Sequence, residues 1–245
     1  MPHPPLTGKS VLVTASARRI GRAIALACAA AGANVAITYR NSRAEAVETA
    51  EQIAALGVRS LSVECDVRSQ SSVQQAIAAV LSAFGRLDVL VNNAAVFASA
   101  PLDEISLEAW DAVFETNARG PFLVAREALP ALRAAEGRIV NIGSLGGLRA
   151  WSDHAHYCAS KAALHMLTQA MARAFAPQVS VNCVAPGWIE FETESAQAAQ
   201  RFAARTPMQR NGTAEDVAQA VLFFATGPGF VTGQILGVDG GLGLV

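Results

Sequence analysis

The sequence predicts an α/β fold. One doubly wound domain spanning 1–245 would carry a seven-stranded parallel sheet with helices on both faces. Three observations lead there. Short β-rich runs alternate with longer helix-like runs along the whole chain. Helices of this length between strands suit right-handed crossovers in a parallel sheet covered on both sides. Finally, 245 residues that are 52% hydrophobic and 16% charged can bury a sizeable core, and no repeat, low-complexity tract or linker divides them.

The elements follow in order. "SVLVTA" (10–15) reads as a buried strand, and 19–31 as an Ala-rich helix ended by Gly32. "NVAITY" is the second strand. Ser42 and Glu45 make a capping-box signature for a helix that runs towards Gly57. "RSLSVECDV" is the third strand, and Val73, Ile77, Val80, Leu81 and Phe84 form one apolar helical stripe after it. "LDVLVNNAA" is the fourth, followed by two long helical segments at 106–118 and 120–135. "GRIVNIGS" is the fifth strand, 155–175 another helix, and "VSVNCVAPG" the sixth strand. Thr213 and Asp216 open a last helix through Phe224, and "GQILGVDGG" supplies the seventh strand. The stretch 187–212 has no assignable element. It lies beyond the carboxyl end of a strand, where ligands of open α/β sheets bind, and is read as a substrate lid.

Composition narrows the function. With a net charge of −1 and no Lys/Arg block, neither a nucleic acid nor a membrane surface is expected as partner. Apolar stretches are broken every few residues, so no transmembrane helix is expected, and "MPHPPLTGKS" reads as a disordered lead rather than a signal peptide. Cys28, Cys65, Cys158 and Cys183 are scattered, which argues against a disulfide framework and a zinc site. They read as small buried residues of a cytoplasmic protein. His3, His154, His156 and His165 have no metal-ligand spacing and read as ordinary polar positions; no metal is expected.

Three segments carry chemistry. The first strand leads into "TASARRIGRAI" (14–24), where a doubly wound sheet would receive a pyrophosphate at a helix N-terminus. Of a G-x-x-x-G-x-G pattern only Gly21 is present; Ala15 and Arg19 hold the other two positions. Ser16 offers a hydroxyl, and Arg18, Arg19 and Ile20 stand where phosphates would lie, the arginines with planar donor forks. The second strand ends in Tyr39, Arg40, Asn41 and Ser42 rather than in the acidic residue that takes a ribose 2′-OH. A cation and hydroxyls at a helix start favour a 2′-phosphate, hence NADPH; a solvated arginine near a cap is the alternative. In "YCASK", Tyr157 and Lys161 lie one helical turn apart. An ammonium nearby favours the ionised phenol, so such a tyrosine suits general acid–base work. Ser144, at the end of the fifth strand, adds a hydroxyl that can hold a substrate oxygen.

Taken in order, "TASARRIG", "CDV" (65–67), "NNAA" (92–95), "TNARGPF" (116–122), "GS" (143–144), "YCASK" (157–161), "NCVAPGW" (182–188) and "TGQILGVDGG" (232–241) resemble the short-chain dehydrogenase/reductase family over nearly the whole chain. The resemblance implies a Rossmann-like domain, a nicotinamide cofactor, a small-molecule substrate and a homotetramer. It implies that Tyr157 protonates the substrate as hydride arrives. Lys161 would bind the nicotinamide ribose and lower the Tyr157 pKa, Ser144 would position the reacting group, and Asn117 would order a proton-relay water. Asp66 and Val67 would meet the adenine, Asn93, Ala94 and Ala95 the ribose region, and Pro186, Gly187 and Ile189 the nicotinamide. Arg19 in place of a glycine is similar to the pteridine reductases, with Phe97 and Trp188 then on the substrate side. Ser144 stands where the best-known of those enzymes carry an aspartate, which keeps ketone reduction open. The readings are thus a pterin reductase, a ketone reductase such as a 3-oxoacyl-(acyl-carrier-protein) reductase, and a cofactor-sensing protein without activity.

Overall fold

The computed structural model describes residues 4–191 and 196–245. Seven strands form one sheet: β1 (Ser10–Val13), β2 (Asn34–Tyr39), β3 (Ser60–Glu64), β4 (Val89–Asn92), β5 (Arg138–Ile142), β6 (Ser180–Pro186) and β7 (Ile235–Val238). Their order is β3-β2-β1-β4-β5-β6-β7, every pair parallel. The order reverses between β1 and β4, and such a switch point opens a crevice at the carboxyl ends of the strands.

The helices are α1 (Arg19–Ala30), α2 (Arg43–Ala55), α3 (Gln70–Phe84), α4 (Leu107–Phe114), α5 (Gly120–Ala134), α6 (Ala155–Phe175), α7 (Ala196–Arg205) and α8 (Ala214–Thr226). Alternate residues of each strand feed opposite faces. Val11 and Val13 join Ile24, Ile37 and Val221 on the α1–α8 side, while Leu12 joins Leu90, Val80, Leu132 and Met171 on the α3–α5–α6 side. With both faces covered, the central strands β1 and β4 are buried along their whole length, while the edge strands β3 and β7 are partly exposed. All four cysteines are buried and free.

Several expected boundaries move. Strands 1, 3, 4, 5, 6 and 7 each stop short of the quoted runs, because the trailing residues turn into the loops that line the crevice. The two helices expected at 106–118 and 120–135 are one continuous run, α4 and α5 joined through a π-helical turn at Glu115–Arg119. The unassigned stretch 187–212 contains α7; its residues 192–195 lie outside the described residues. Ser42 precedes α2 but makes no side-chain cap bond, so the capping box with Glu45 does not form. The one at Thr213 and Asp216 does: Asp216 N–H donates to Thr213 Oγ1 at 3.2 Å, and Thr213 N–H to Asp216 Oδ2 at 2.9 Å. Among the described residues no helix is long and apolar enough to cross a membrane, and no His, Cys, Asp and Glu gather as a metal site.

Candidate active site

A cleft of about 540 Å³ crosses the carboxyl ends of the central strands. Its first wall is the loop between β1 and α1. Ala15 and Arg19 sit at φ of 51° and 54°, in the left-handed region where glycine is favoured, so the loop keeps a glycine conformation without the glycines. Gly21 has no such freedom: a Cβ there would stand 2.5 Å from Asn93 Nδ2 and 2.7 Å from the Ala15 carbonyl. The loop is tied to β4 through Thr14, whose Oγ1 accepts the N–H groups of Asn93 and Ala94 at 2.9 and 3.0 Å. Asn93 Nδ2 returns bonds to the Thr14 and Ala15 carbonyls.

Arg18 caps α1 without a side-chain bond, and the first turn holds no acidic residue. Its unpaired N–H groups and positive dipole end therefore meet the cleft beside Arg18, Arg19 and Ile20, a donor set that fits a pyrophosphate. Tyr39, Arg40, Asn41 and Ser42 line the cleft at the end of β2, and Asp66 and Val67 at the end of β3. Arg68 grips the Asp66 carboxylate with its guanidinium (Nη2 to Oδ2, 2.6 Å), which first among several effects holds that carboxyl below its usual range. Ser16 departs from expectation. It is fully buried and its hydroxyl donates to the Val13 carbonyl at 2.7 Å, so it braces the turn from behind and offers nothing to the cleft.

At the other end, Ser144 after β5 faces Tyr157 and Lys161 of α6. The two segments are held in register by a buried relay: Asn92 Nδ2 donates to Asn141 Oδ1, and Asn141 Nδ2 to Thr168 Oγ1, each at 2.9 Å. Ser144 Oγ accepts the Gly146 N–H at 3.0 Å, leaving its own proton to donate. Lys161 is 2% exposed; Nζ donates to the Ile142 carbonyl at 2.7 Å and has two further protons. Burial pushes its pKa down to about 8. Burial likewise raises the Tyr157 pKa, with the Ser144 hydroxyl acting the other way. Lys161 Nζ lies 5.9 Å from the centre of the phenol ring and donates to the Ile142 carbonyl.

Asn117, in the π-helical turn, is fully buried and its side chain is outside the cleft. Its amide accepts from Val96 N–H (2.8 Å) and donates to the Val96 carbonyl (2.9 Å) and Ser160 Oγ (3.0 Å). That side chain fastens the β4 loop to α6.

Pro186, Gly187, Trp188 and Ile189 line the cleft after β6, and Ala94, Ala95 and Phe97 after β4. Phe97 stacks on His154 (4.7 Å) and meets Tyr157 edge-on (4.8 Å); Trp151 lies parallel to Tyr157 at 6.2 Å. Trp188 stacks on Phe202 of α7 at 3.8 Å. The Arg19 guanidinium sits 5.1 Å over the Phe191 ring. Trp151, His154 and Phe191 were not anticipated; Trp151 and His154 join Phe97 in an aromatic wall around Tyr157, and Phe191 lies against Arg19. Arg149 donates to the carbonyls of Leu242, Gly243 and Val245.

A parallel sheet with its cleft at the switch point, an open helix N-terminus at one end and a Ser–Tyr–Lys set at the other defines a dinucleotide-dependent oxidoreductase. A family model described as enoyl-(acyl carrier protein) reductase matches residues 14–243. The chain belongs to the short-chain dehydrogenase/reductase family. It is 38% identical to the 3-oxoacyl-(acyl-carrier-protein) reductase FabG of Staphylococcus aureus over 96% of this chain and 98% of that protein. With the enzyme of the same name from Aquifex aeolicus it shares 38% identity over 97% and 98%. The structure matches a short-chain dehydrogenase/reductase from Serratia marcescens with a TM-score of 0.92 at 36% identity, covering 98% of this chain and 99% of the other. It also matches a blue fluorescent protein from a metagenomic library in complex with NADPH (TM-score 0.91, 34% identity, 97% and 99% covered).

Proposed function

We propose that the enzyme is an NADPH-dependent carbonyl reductase acting on a 3-oxoacyl thioester. The observation that carries the reading is the convergence of Ser144, Tyr157 and Lys161 at one end of a cleft whose other end holds Arg40 and Ser42. The nicotinamide cofactor supplies hydride when bound. Tyr157, kept protonated by burial, donates the proton, and this direction fits reduction at neutral pH. Ser144 donates its free hydroxyl proton to the substrate oxygen. Lys161 turns its two remaining N–H groups to the nicotinamide ribose. Arg40, Asn41 and Ser42 hold a 2′-phosphate, Arg18 and Arg19 the pyrophosphate, Asp66 and Val67 the adenine. Asn93, Ala94 and Ala95 line the ribose, and Pro186, Gly187 and Ile189 the nicotinamide. The names of the Staphylococcus and Aquifex relatives support the thioester, and the NADPH-bound neighbour supports the cofactor.

A pterin is the second reading, favoured by Phe97, which is 61% exposed, and by Arg19 on the same cleft. A flat bicycle would stack on the free face of Phe97. The segment 187–212 acts as the lid over either substrate. We read the enzyme as a cytoplasmic homotetramer; exposed Phe122, Phe223, Phe230 and Leu236 are the apolar residues available for contacts between subunits. Consumption of NADPH is to be followed with an acetoacetyl thioester and, separately, with dihydrobiopterin, and repeated with NADH. Thioester turnover with a clear preference for NADPH is expected. Pterin turnover alone sinks the thioester reading, and equal use of NADH sinks the role of Arg40.

A further inference from the structure

One turn of α6 beyond Lys161, His165 is buried and has no part in the chemistry above. Its Nε2 accepts the Ser144 backbone N–H at 3.4 Å. An amide N–H can only donate, so Nε2 is the unprotonated nitrogen and the ring proton sits on Nδ1. Burial first, and the Lys161 ammonium second, push the imidazole down to about 4, so it is neutral at working pH. The Gly147 backbone lies alongside, yet Nδ1 meets no acceptor at hydrogen-bond geometry. A leucine would fill this place without an unmet donor, so packing alone does not account for a histidine. The loop after β5 closes directly on the ring. A Cβ on Gly147 would stand 2.6 Å from Cε1, and one on Gly143 would overlap Nε2 itself.

We propose that His165 is a positioning residue for the reduction: its Nε2 fixes the Ser144 backbone and thereby the hydroxyl that orients the substrate oxygen. The inference rests on the role given to Ser144 above. Gly143 and Gly147 bracket Ser144 because only residues without a Cβ let the turn wrap the imidazole. Without the acceptor, the buried Ser144 N–H is unpaired and the turn at Leu145–Gly147 shifts to satisfy it.

The test compares His165→Leu, His165→Gln and His165→Asn in the full chain, alone and with Ser144→Ala, by steady-state kinetics and NADPH titration. A misplaced reacting group predicts a kcat lower by about ten- to a hundredfold in His165→Leu, with NADPH affinity unchanged. The glutamine carbonyl reaches the place of Nε2 and restores most of kcat; the shorter asparagine does not. On top of Ser144→Ala, His165→Leu adds no further loss, since both act through one group. If Ser144→Ala turns over like the wild type, the role of Ser144 itself falls. If Ser144→Ala is crippled while His165→Leu keeps its kcat, His165 is core packing only and the proposal is overturned. Should the leucine variant not fold, the glutamine–asparagine pair decides: equal activities overturn the proposal.

Discussion

Lys161 and Ala15 show in single residues how the site sets stability against function. Burial takes the Lys161 pKa from 10.5 to about 8, so the folded state holds its proton less tightly than the unfolded chain. The ammonium therefore costs stability below pH 8, on the order of 3 kcal/mol. That cost fades as pH rises from about 8 to 10.5, where both states are neutral. Lys161→Met, which also loses the bond to Ile142, is expected to unfold about 2–4 °C higher at pH 7. The gap narrows at alkaline pH, and activity is lost. Thermal melts at the two pH values check this; a lower melting point at pH 7 contradicts it. Ala15 sits at φ 51°, which costs an L-residue roughly 1–2 kcal/mol. Ala15→Gly returns part of that, about 0.5–1 kcal/mol after the extra freedom of the unfolded chain is counted, measurable by urea unfolding. Residue identity alone marked Tyr157, Lys161 and Ser144, because their chemistry needs those side chains. It missed His165 and misjudged Ser16, because whether an imidazole or a hydroxyl faces the cleft or the core is set by the folded backbone around it: the Ser144 amide for His165 and the Val13 carbonyl for Ser16.

Helix ends show the same division between what is local and what is not. Both Ser42–Glu45 and Thr213–Asp216 carry the capping-box pattern, yet only the second forms. Ser42 leads α2 from the cofactor side of the cleft with backbone angles of −94° and 58°, which do not bring its hydroxyl to the helix amides. Thr213→Ala is thus expected to cost about 1 kcal/mol, whereas Ser42→Ala stays within about 0.5 kcal/mol of the wild type in stability. Equal losses in chemical denaturation contradict this. The strands and the helix 155–175 were legible because their apolar periods are set by burial on the sheet. The π-helical turn between α4 and α5 was not, since it arises where Asn117 bonds to Val96 and Ser160 across the fold. Helix α7 was unreadable for a related reason: it is placed by Trp188 against Phe202 and by Asn211 Nδ2 bonding the Ala199 carbonyl at 2.9 Å.

For the whole molecule, strand order and site belong to one design. Reversal of connection between β1 and β4 opens the cleft, α1 brings an uncapped N-terminus to it, and β5 and α6 converge to set Ser144 beside Tyr157. The missing glycines of the first loop do not weaken this arrangement, because Ala15 and Arg19 adopt the conformation those glycines would have. They leave Arg19 facing the Phe191 ring instead. The substrate was the least legible feature, since the aromatic residues at this end of the cleft, Phe97, Trp151, His154 and Trp188, come from three separate segments. In the proposed reaction Tyr157 gives up its proton as the carbonyl is reduced. It is tested most directly by single-turnover reduction of an acetoacetyl thioester by NADPH in wild-type enzyme and in Tyr157→Phe. The expected result is a loss of about 10²–10⁴-fold in rate with NADPH affinity retained. A Tyr157→Phe enzyme that turns over at the wild-type rate contradicts the account.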